Sequence, residues 1–276
     1  VTVIDTGKTG EINDFWFSPD NKWVVYTNSE PASKNRIYLF EIATKKRTPI
    51  TSDWYDSYSP MFSNDGKYLF FVSDRDFNPV YSNTEWNHAY TDMSKIYFVK
   101  LAKNTPNPFA PKNDEVKISE QKTDSAKTDK GKNDKSKDKS KPEEAKPKTP
   151  DVKIDLDGIE NRIAVLPIAV SGYFGITVVD NSVYYLKRGY TDNKTSLKLF
   201  DLKEKKETDL GEIDGYEITA DLKKMLVINN KNYYVIDLPK GKLDLKESTN
   251  TGDMKVWVDR KAEWKQIFNE CWRQMK

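Results

Sequence analysis

Two stretches of this chain repeat one another 45 residues apart: Phe17-Ser18-Pro19-Asp20-Asn21-Lys22-Trp23-Val24-Val25-Tyr26 and Phe62-Ser63-Asn64-Asp65-Gly66-Lys67-Tyr68-Leu69-Phe70-Phe71. A period of this size belongs to propeller blades, small antiparallel sheets that cannot bury their own apolar faces and must stack on a neighbour. Within each unit an apolar strand end, a Ser-Pro-Asp-Asn or Ser-Asn-Asp-Gly turn and an alternating aromatic and β-branched run make a hairpin. A second strand pair follows, seen as Arg36 to Ile42, a turn at Ala43 to Lys46, and Arg47 to Ile50.

The pattern resumes later in the chain. Gly175 to Leu186, turning at Asp180-Asn181, precedes Leu197 to Leu202, and Lys203 to Thr208 mirrors Ala43 to Thr48. Tyr216 to Val227 repeats the first hairpin, and Asn232 to Leu238 supplies the next strand. Four copies of one grammar separate a propeller from an ordinary β-meander. The expected fold class is all-β, a partial β-propeller of four-stranded antiparallel blades carrying a C-terminal amphipathic helix. Four blades are the lower limit for closure, and Val1 to Asp5 reads as a last strand whose own blade lies upstream.

Between the two sets of blades the composition changes. Residues 121–150 contain ten Lys, six Asp or Glu, and only Ala126 and Ala145 from the apolar set, which makes this stretch +4 within a chain of net charge +2. Such a segment buries too little apolar surface to offset an ordering cost of roughly 1–2 kcal/mol per residue, so it is expected to be disordered. Nucleic acid is not the expected partner, because the lysines alternate with acids and neither arginine nor an aromatic side chain is interleaved. The expected organisation is propeller blades over 1–110, the Lys-rich insertion over 111–151, further blades over 152–253, and a linker with the start of a helical domain over 254–276.

The last residues change period. Trp264, Ile267, Phe268, Cys271, Trp272 and Met275 recur at spacings of three and four, one face of a helix. Asp259 is the expected N-cap, with Glu263 favourable in the first turn. The stripe needs a partner surface, and Trp264, Ile267, Phe268 and Trp272 are the candidate docking residues, with Cys271 expected as an inert buried thiol. The apolar pattern still runs at Lys276, which reads as the first helix of a following domain. A helix folded back on the propeller is the other reading.

Chemistry is constrained by scarcity. One cysteine, Cys271, excludes an internal disulfide framework, and one histidine, His88, excludes a metal site built from two histidines of this chain. Asp155-Leu156-Asp157-Gly158-Ile159-Glu160 brings carboxylates together but fails the EF-hand pattern, since residue 164 is Ala; it reads as a surface turn leading into a strand over 163–168. His88 has no Gly-x-Ser-x-Gly elbow anywhere to serve and reads as a loop or packing residue. Ser18 and Ser63 read as turn residues whose hydroxyls cap local backbone. No catalytic, cofactor-binding or metal-ligating residue is expected. No membrane span is expected either, because the strongly apolar stretch from Ile163 to Val179 is interrupted by Pro167, Ser171, Gly172 and Gly175.

Three segments together resemble the tricorn protease family, S41-type serine peptidases. The two Phe-Ser-x-Asp-x-Lys turns resemble its WD40-like propeller repeats. Ile154-Asp155-Leu156-Asp157-Gly158-Ile159-Glu160-Asn161-Arg162-Ile163, with Leu166-Pro167, resembles the sequence entering a blade of its second, seven-bladed propeller. Trp257 to Arg273 is similar to the start of the helical domain after that propeller. The resemblance implies degradation of peptides by a serine, a histidine and further polar partners in mixed α/β domains around a PDZ domain. His88 does not match the catalytic histidine, so no catalytic residue carries over.

What the resemblance implies for this chain is a non-catalytic propeller that filters and conducts peptide substrates toward downstream PDZ and protease domains of the same polypeptide, with a homo-oligomer left open. It implies a periplasmic location if the chain is like the bacterial relatives and a cytoplasmic one if like the archaeal. A protein-binding propeller module of the cell envelope without peptidase activity is the alternative. The propeller cap of a prolyl-oligopeptidase-type hydrolase is a third.

Overall fold

The structure, a computed structural model, describes residues 3–31, 33–76, 79–81, 88–110 and 150–275. The Lys-rich segment, as an expectation of disorder, lies outside the described residues except for its last positions. The repeat resolves into antiparallel sheets. The first blade is β1 (Phe15–Phe17), β2 (Trp23–Asn28), β3 (Arg36–Glu41) and β4 (Lys46–Pro49), paired in that order. The next strands are β5 (Ser57–Phe62), β6 (Tyr68–Ser73), a two-stranded ribbon of β7 (Pro79–Tyr81) and β8 (His88–Tyr90), then β9 (Lys95–Lys100) and β10 (Ile163–Val165). The second blade has the order β10-β9-β6-β5.

The third blade is β11 (Tyr173–Val179), β12 (Ser182–Lys187), β13 (Ser196–Asp201) and β14 (Lys206–Glu212), again in chain order. A three-stranded sheet follows, β15 (Gly215–Ile218), β16 (Lys224–Asn229) and β17 (Asn232–Asp237), and then one α-helix, α1 (Arg260–Met275). The three four-stranded blades belong to one compact unit, Val1–Ile213 with Pro239–Lys242; the three-stranded sheet and α1 belong to a second, Asp214–Leu238 with Leu243–Lys276.

The repeated turn owes its shape to one hydrogen-bonded knot made three times. Ser18 Oγ donates to Asp20 Oδ1 (2.6 Å) and accepts the Trp23 N–H (3.0 Å), while Asp20 Oδ1 accepts the Lys22 N–H (3.2 Å). Ser63, Asp65, Lys67 and Tyr68 repeat these bonds, in the same order, at 2.6, 3.0 and 3.1 Å. Thr219, Asp221, Lys223 and Lys224 repeat them at 2.6, 3.0 and 3.2 Å. The knot sends the chain through the left-handed region at Asn21 (φ 56°), Gly66 (φ 68°) and Leu222 (φ 59°). The third blade turns more tightly, with Asp180 at φ 53°.

Packing explains why the central strands are continuously apolar and not alternating. Leu69 and Phe71 of β6 pack toward the first blade with Trp23, Val25, Leu39 and Val99, whereas Phe70 and Val72 pack toward the third with Ile176, Val178, Tyr185 and Phe200. A strand covered on both faces buries every side chain, and each such Phe or Leu contributes roughly 1.5–3 kcal/mol of apolar burial.

The second blade is assembled from both sides of the Lys-rich segment. β10 pairs with β9 through Ile163–Val99, Ala164–Phe98 and Val165–Tyr97, so the Asp-Leu-Asp-Gly segment leads into the outer strand of a blade begun much earlier. That strand ends at Val165, three residues short of expectation. Arg162 fastens it: its guanidinium donates to the carbonyls of Lys100 (3.0 Å), Leu101 (3.2 Å) and Asp157 (2.9 Å), and to that of Asp155. Two further anchors flank the segment. Phe109 sits between Phe98 and Phe200, with ring centroids at 5.7 and 6.0 Å. Val152 joins the core between the first and second blades and donates its N–H to Asp20 Oδ2 (3.1 Å).

The N-terminal expectation needs correction, because Val3–Asp5 is not a strand. Asp5 instead accepts hydrogen bonds from Tyr26 Oη (2.8 Å), Asn28 Nδ2 (3.0 Å) and Arg47 Nη1 (2.7 Å), which tie the entering chain onto the first blade.

Candidate functional site

The first strands of the three blades come together. β5 adjoins both β1 and β11, and each is an edge strand of its sheet, with one row of backbone groups outside the ladder. β5 and β11 share a defect: the register shifts between Tyr58 and Met61 and between Phe174 and Thr177, with Ser59 at φ 52° and Gly175 at φ 59°. Such a bulge bends the strand and re-aims its side chains. Aromatic side chains lie along these strands, with Phe15, Trp16 and Phe17 of β1 about half exposed and Phe174 of β11 at 38%.

Asp14 braces the first two blades here. Its Oδ2 accepts the Ser59 N–H at the bulge (2.5 Å) and the Thr27 hydroxyl (3.0 Å). Burial pushes its carboxyl above the usual range, and the two bonds only partly reverse this. It lines a cleft of about 350 Å³ with Thr9, Glu11, Asn28, Asn35 and Tyr58 among its walls.

The residues singled out from sequence fall in separate places. Trp264, Ile267, Phe268 and Trp272 lie on α1 as the spacing requires, and all four are more than half exposed. Asp259 caps the helix, its Oδ1 accepting the N–H groups of Lys261 (3.0 Å) and Ala262 (3.3 Å). Cys271 is exposed, contrary to the buried thiol expected, because no described residue of its unit covers the stripe. His88 opens β8 opposite Tyr81 on the backbone, and its side chain lies outside the description.

Asp155 and Asp157 are engaged locally. Asp155 Oδ2 accepts the Lys103 N–H (2.7 Å) and Asp157 pairs with Lys103 Nζ (2.7 Å), while Gly158 (φ 60°) starts a short 3-10 turn over Ile159–Arg162 that buries Ile159. Ser18 and Ser63 make the turn knots described above. Among the described residues no group of three or more His, Cys, Asp or Glu is placed to hold a metal ion, and no helix is long and apolar enough to cross a membrane.

A family model described as the tricorn protease second beta propeller domain matches residues 1–239. The chain belongs to that family. Tricorn protease homolog 1 of Streptomyces coelicolor is 26% identical over all of this chain and 26% of its own length. The tricorn protease homolog of Saccharolobus solfataricus is 26% identical over 99% of the chain and 24% of its own. The crystal structure of the tricorn protease matches with a TM-score of 0.71 at 20% identity, covering 98% of this chain and 25% of that one. The chain thus spans about a quarter of the length of these curated relatives. The tricorn-type propeller fold accounts for the stacked antiparallel blades.

Two features of this tricorn-type propeller escaped the sequence reading. Asp14 sits in an ordinary polar stretch, and its partners, Thr27 and the bulge at Ser59, lie far from it in sequence. Trp54 and Tyr55 fall in the connection between β4 and β5, where two adjacent aromatics outside a strand were the available signal.

Proposed function

We propose that this chain is the non-catalytic propeller portion of a tricorn-like serine protease and that its blades guide extended peptide segments toward a protease core. The convergence of β1, β5 and β11, with half-exposed aromatic side chains along them, carries the reading. An axis lined by strand edges and rings suits an extended chain, whose backbone and apolar side chains it can meet, and excludes a folded domain by size. On this reading the blades are residues 1–110 and 152–253, residues 254–276 lead to a helical domain, and the downstream PDZ and protease domains are partners within one polypeptide.

The test is a block at the inner strands. In the protein carrying Cys271→Ser and Trp16→Cys, a bulky maleimide at position 16 should slow hydrolysis of a long unfolded polypeptide by roughly tenfold, about 1.4 kcal/mol in barrier, and leave a dipeptide amide unaffected. Equal slowing of both, or of neither, overturns the gating role.

The exposed stripe on α1 supports a second reading, a protein-binding module of the cell envelope that docks through Trp264, Ile267, Phe268 and Trp272. It requires that Trp264→Ala with Trp272→Ala abolish capture of a separate partner while the blades stay folded. Retained capture rejects it.

A further inference from the structure

A second cleft, of about 360 Å³, opens where the β4–β5 connection meets the end of β6, lined by Lys34, Trp54, Tyr55, Asp56, Arg75 and Met93 among others. Trp54 is 80% exposed and Tyr55 43%. Arg75 is half-buried beside them. Its guanidinium carbon lies 5.2 Å from the ring centre of Tyr97, 5.6 Å from Phe71 and 5.8 Å from Tyr55, and its Nε donates to Ser73 Oγ (2.9 Å). Three rings around one guanidinium hold it by cation–π contact.

The carboxylates in this wall are engaged elsewhere. Asp56 pairs with Lys34 (3.1 Å) and accepts the Asn35 N–H (3.0 Å); Asp76 pairs with Lys95 (2.7 Å) and accepts the Tyr97 hydroxyl (2.7 Å). Asp74 Oδ1 accepts the hydroxyls of Ser94 (2.6 Å) and Tyr58 (3.2 Å). Among the described residues none forms an ion pair with Arg75. Burial lowers its affinity for the proton, as befits a cation that has lost water. A guanidinium held among three rings, partly dehydrated and, among the described residues, without an ion-pair partner is a receptor for a carboxylate, which it can meet with two parallel hydrogen bonds.

We propose that this cleft binds a carboxylate carried beside an aromatic or aliphatic side chain, with Arg75 receiving the carboxylate and Trp54 and Tyr55 the apolar group. Its volume suits one or two residues of a peptide. The carboxylate can be a peptide C-terminus or an acidic side chain. The proposal goes beyond the gating role and stands without it, since it needs no hydrolysis.

Calorimetric titration of the protein with three acetylated dipeptides tests it: Ala-Phe with a free C-terminus, the same peptide as its C-terminal amide, and Asp-Phe amide. Expected is saturable binding of at least one carboxylate-bearing peptide, with the Ala-Phe amide weaker by roughly tenfold or more. Binding of the free acid alone assigns the site to C-termini; equal binding of Asp-Phe amide assigns it to acidic side chains. Arg75→Gln should abolish the preference for carboxylate, and Trp54→Ala, at an exposed position where folding is not at stake, should weaken every bound peptide by roughly tenfold. The proposal is overturned by equal affinity for acid and amide, by affinity unchanged in Trp54→Ala, or by no saturable binding.

Discussion

In β6 every residue from Leu69 to Val72 is fully buried, whereas in β17 Tyr233 and Val235 remain 39% and 52% exposed. The two strands nonetheless belong to units of the same grammar, each opened by the same Ser or Thr, Asp and Lys knot. Local hydrogen bonding therefore makes the hairpin, while stacking between neighbours makes the core. β6 has a blade on either face. In the second unit Met225 and Val227 of β16 are buried, yet no residue of α1 is. A propeller blade is thus a locally specified object whose stability is supplied collectively.

The comparison breaks most visibly if a core residue of β6 proves dispensable. Phe70→Ala removes a ring lying 5.6 Å from that of Phe98 and should cost about 3–5 kcal/mol in chemical denaturation. Val235→Ala on β17 should cost under about 1 kcal/mol. Similar losses at the two sites would mean that β17 has cover comparable to that of β6.

Glycines sharpen the same contrast on a smaller scale. A Cβ at Gly66 would lie 2.6 Å from Val152 Cγ2 on a backbone at φ 68°, whereas one at Gly241 would meet nothing within 4 Å. Gly66→Ala should therefore lower stability by about 1–3 kcal/mol and Gly241→Ala by no more than about 0.5 kcal/mol.

The smallest expected effect is a pair of opposite acid responses at the first blade. Although burial pushes Asp5 upward, Arg47, Asn28, the Thr6 N–H and Tyr26 outweigh it and hold the carboxyl at about 2, below the ordinary 3.8. Its contribution is complete above that ordinary value and is lost as pH falls toward 2. Asp14 is shifted upward, so the folded state takes its proton first, and stability rises as pH falls from neutrality through that raised value. Urea midpoints followed from neutral to acid pH should show a shallower loss in Asp5→Asn and no acid-side gain in Asp14→Asn. A common response of both variants would contradict the two environments.

The turns were legible because everything they need lies within six residues: a hydroxyl, a carboxylate and a position tolerant of positive φ. The cap at Asp259 and the helical stripe were legible for the same reason. The outer strand β10 was recognised as a strand, but its partner β9 was not, since Ile163 pairs with Val99 across the Lys-rich stretch and no local pattern encodes that distance. Asp5 was read as part of a strand because its neighbours are β-branched; three side chains distant in sequence decide otherwise. The Arg75 cleft was illegible because Tyr55, Phe71 and Tyr97 meet only after two connections and two strands have packed.

The way β10 returns to β9 has a practical corollary. A chain opened anywhere between residues 110 and 150 yields two pieces, one ending with β9 and the Phe109 anchor, the other beginning with Val152, Arg162 and the strand that completes the second blade. Everything joining them is non-covalent and already in native register. The two halves, expressed separately, should reconstitute by strand complementation of β9 with β10.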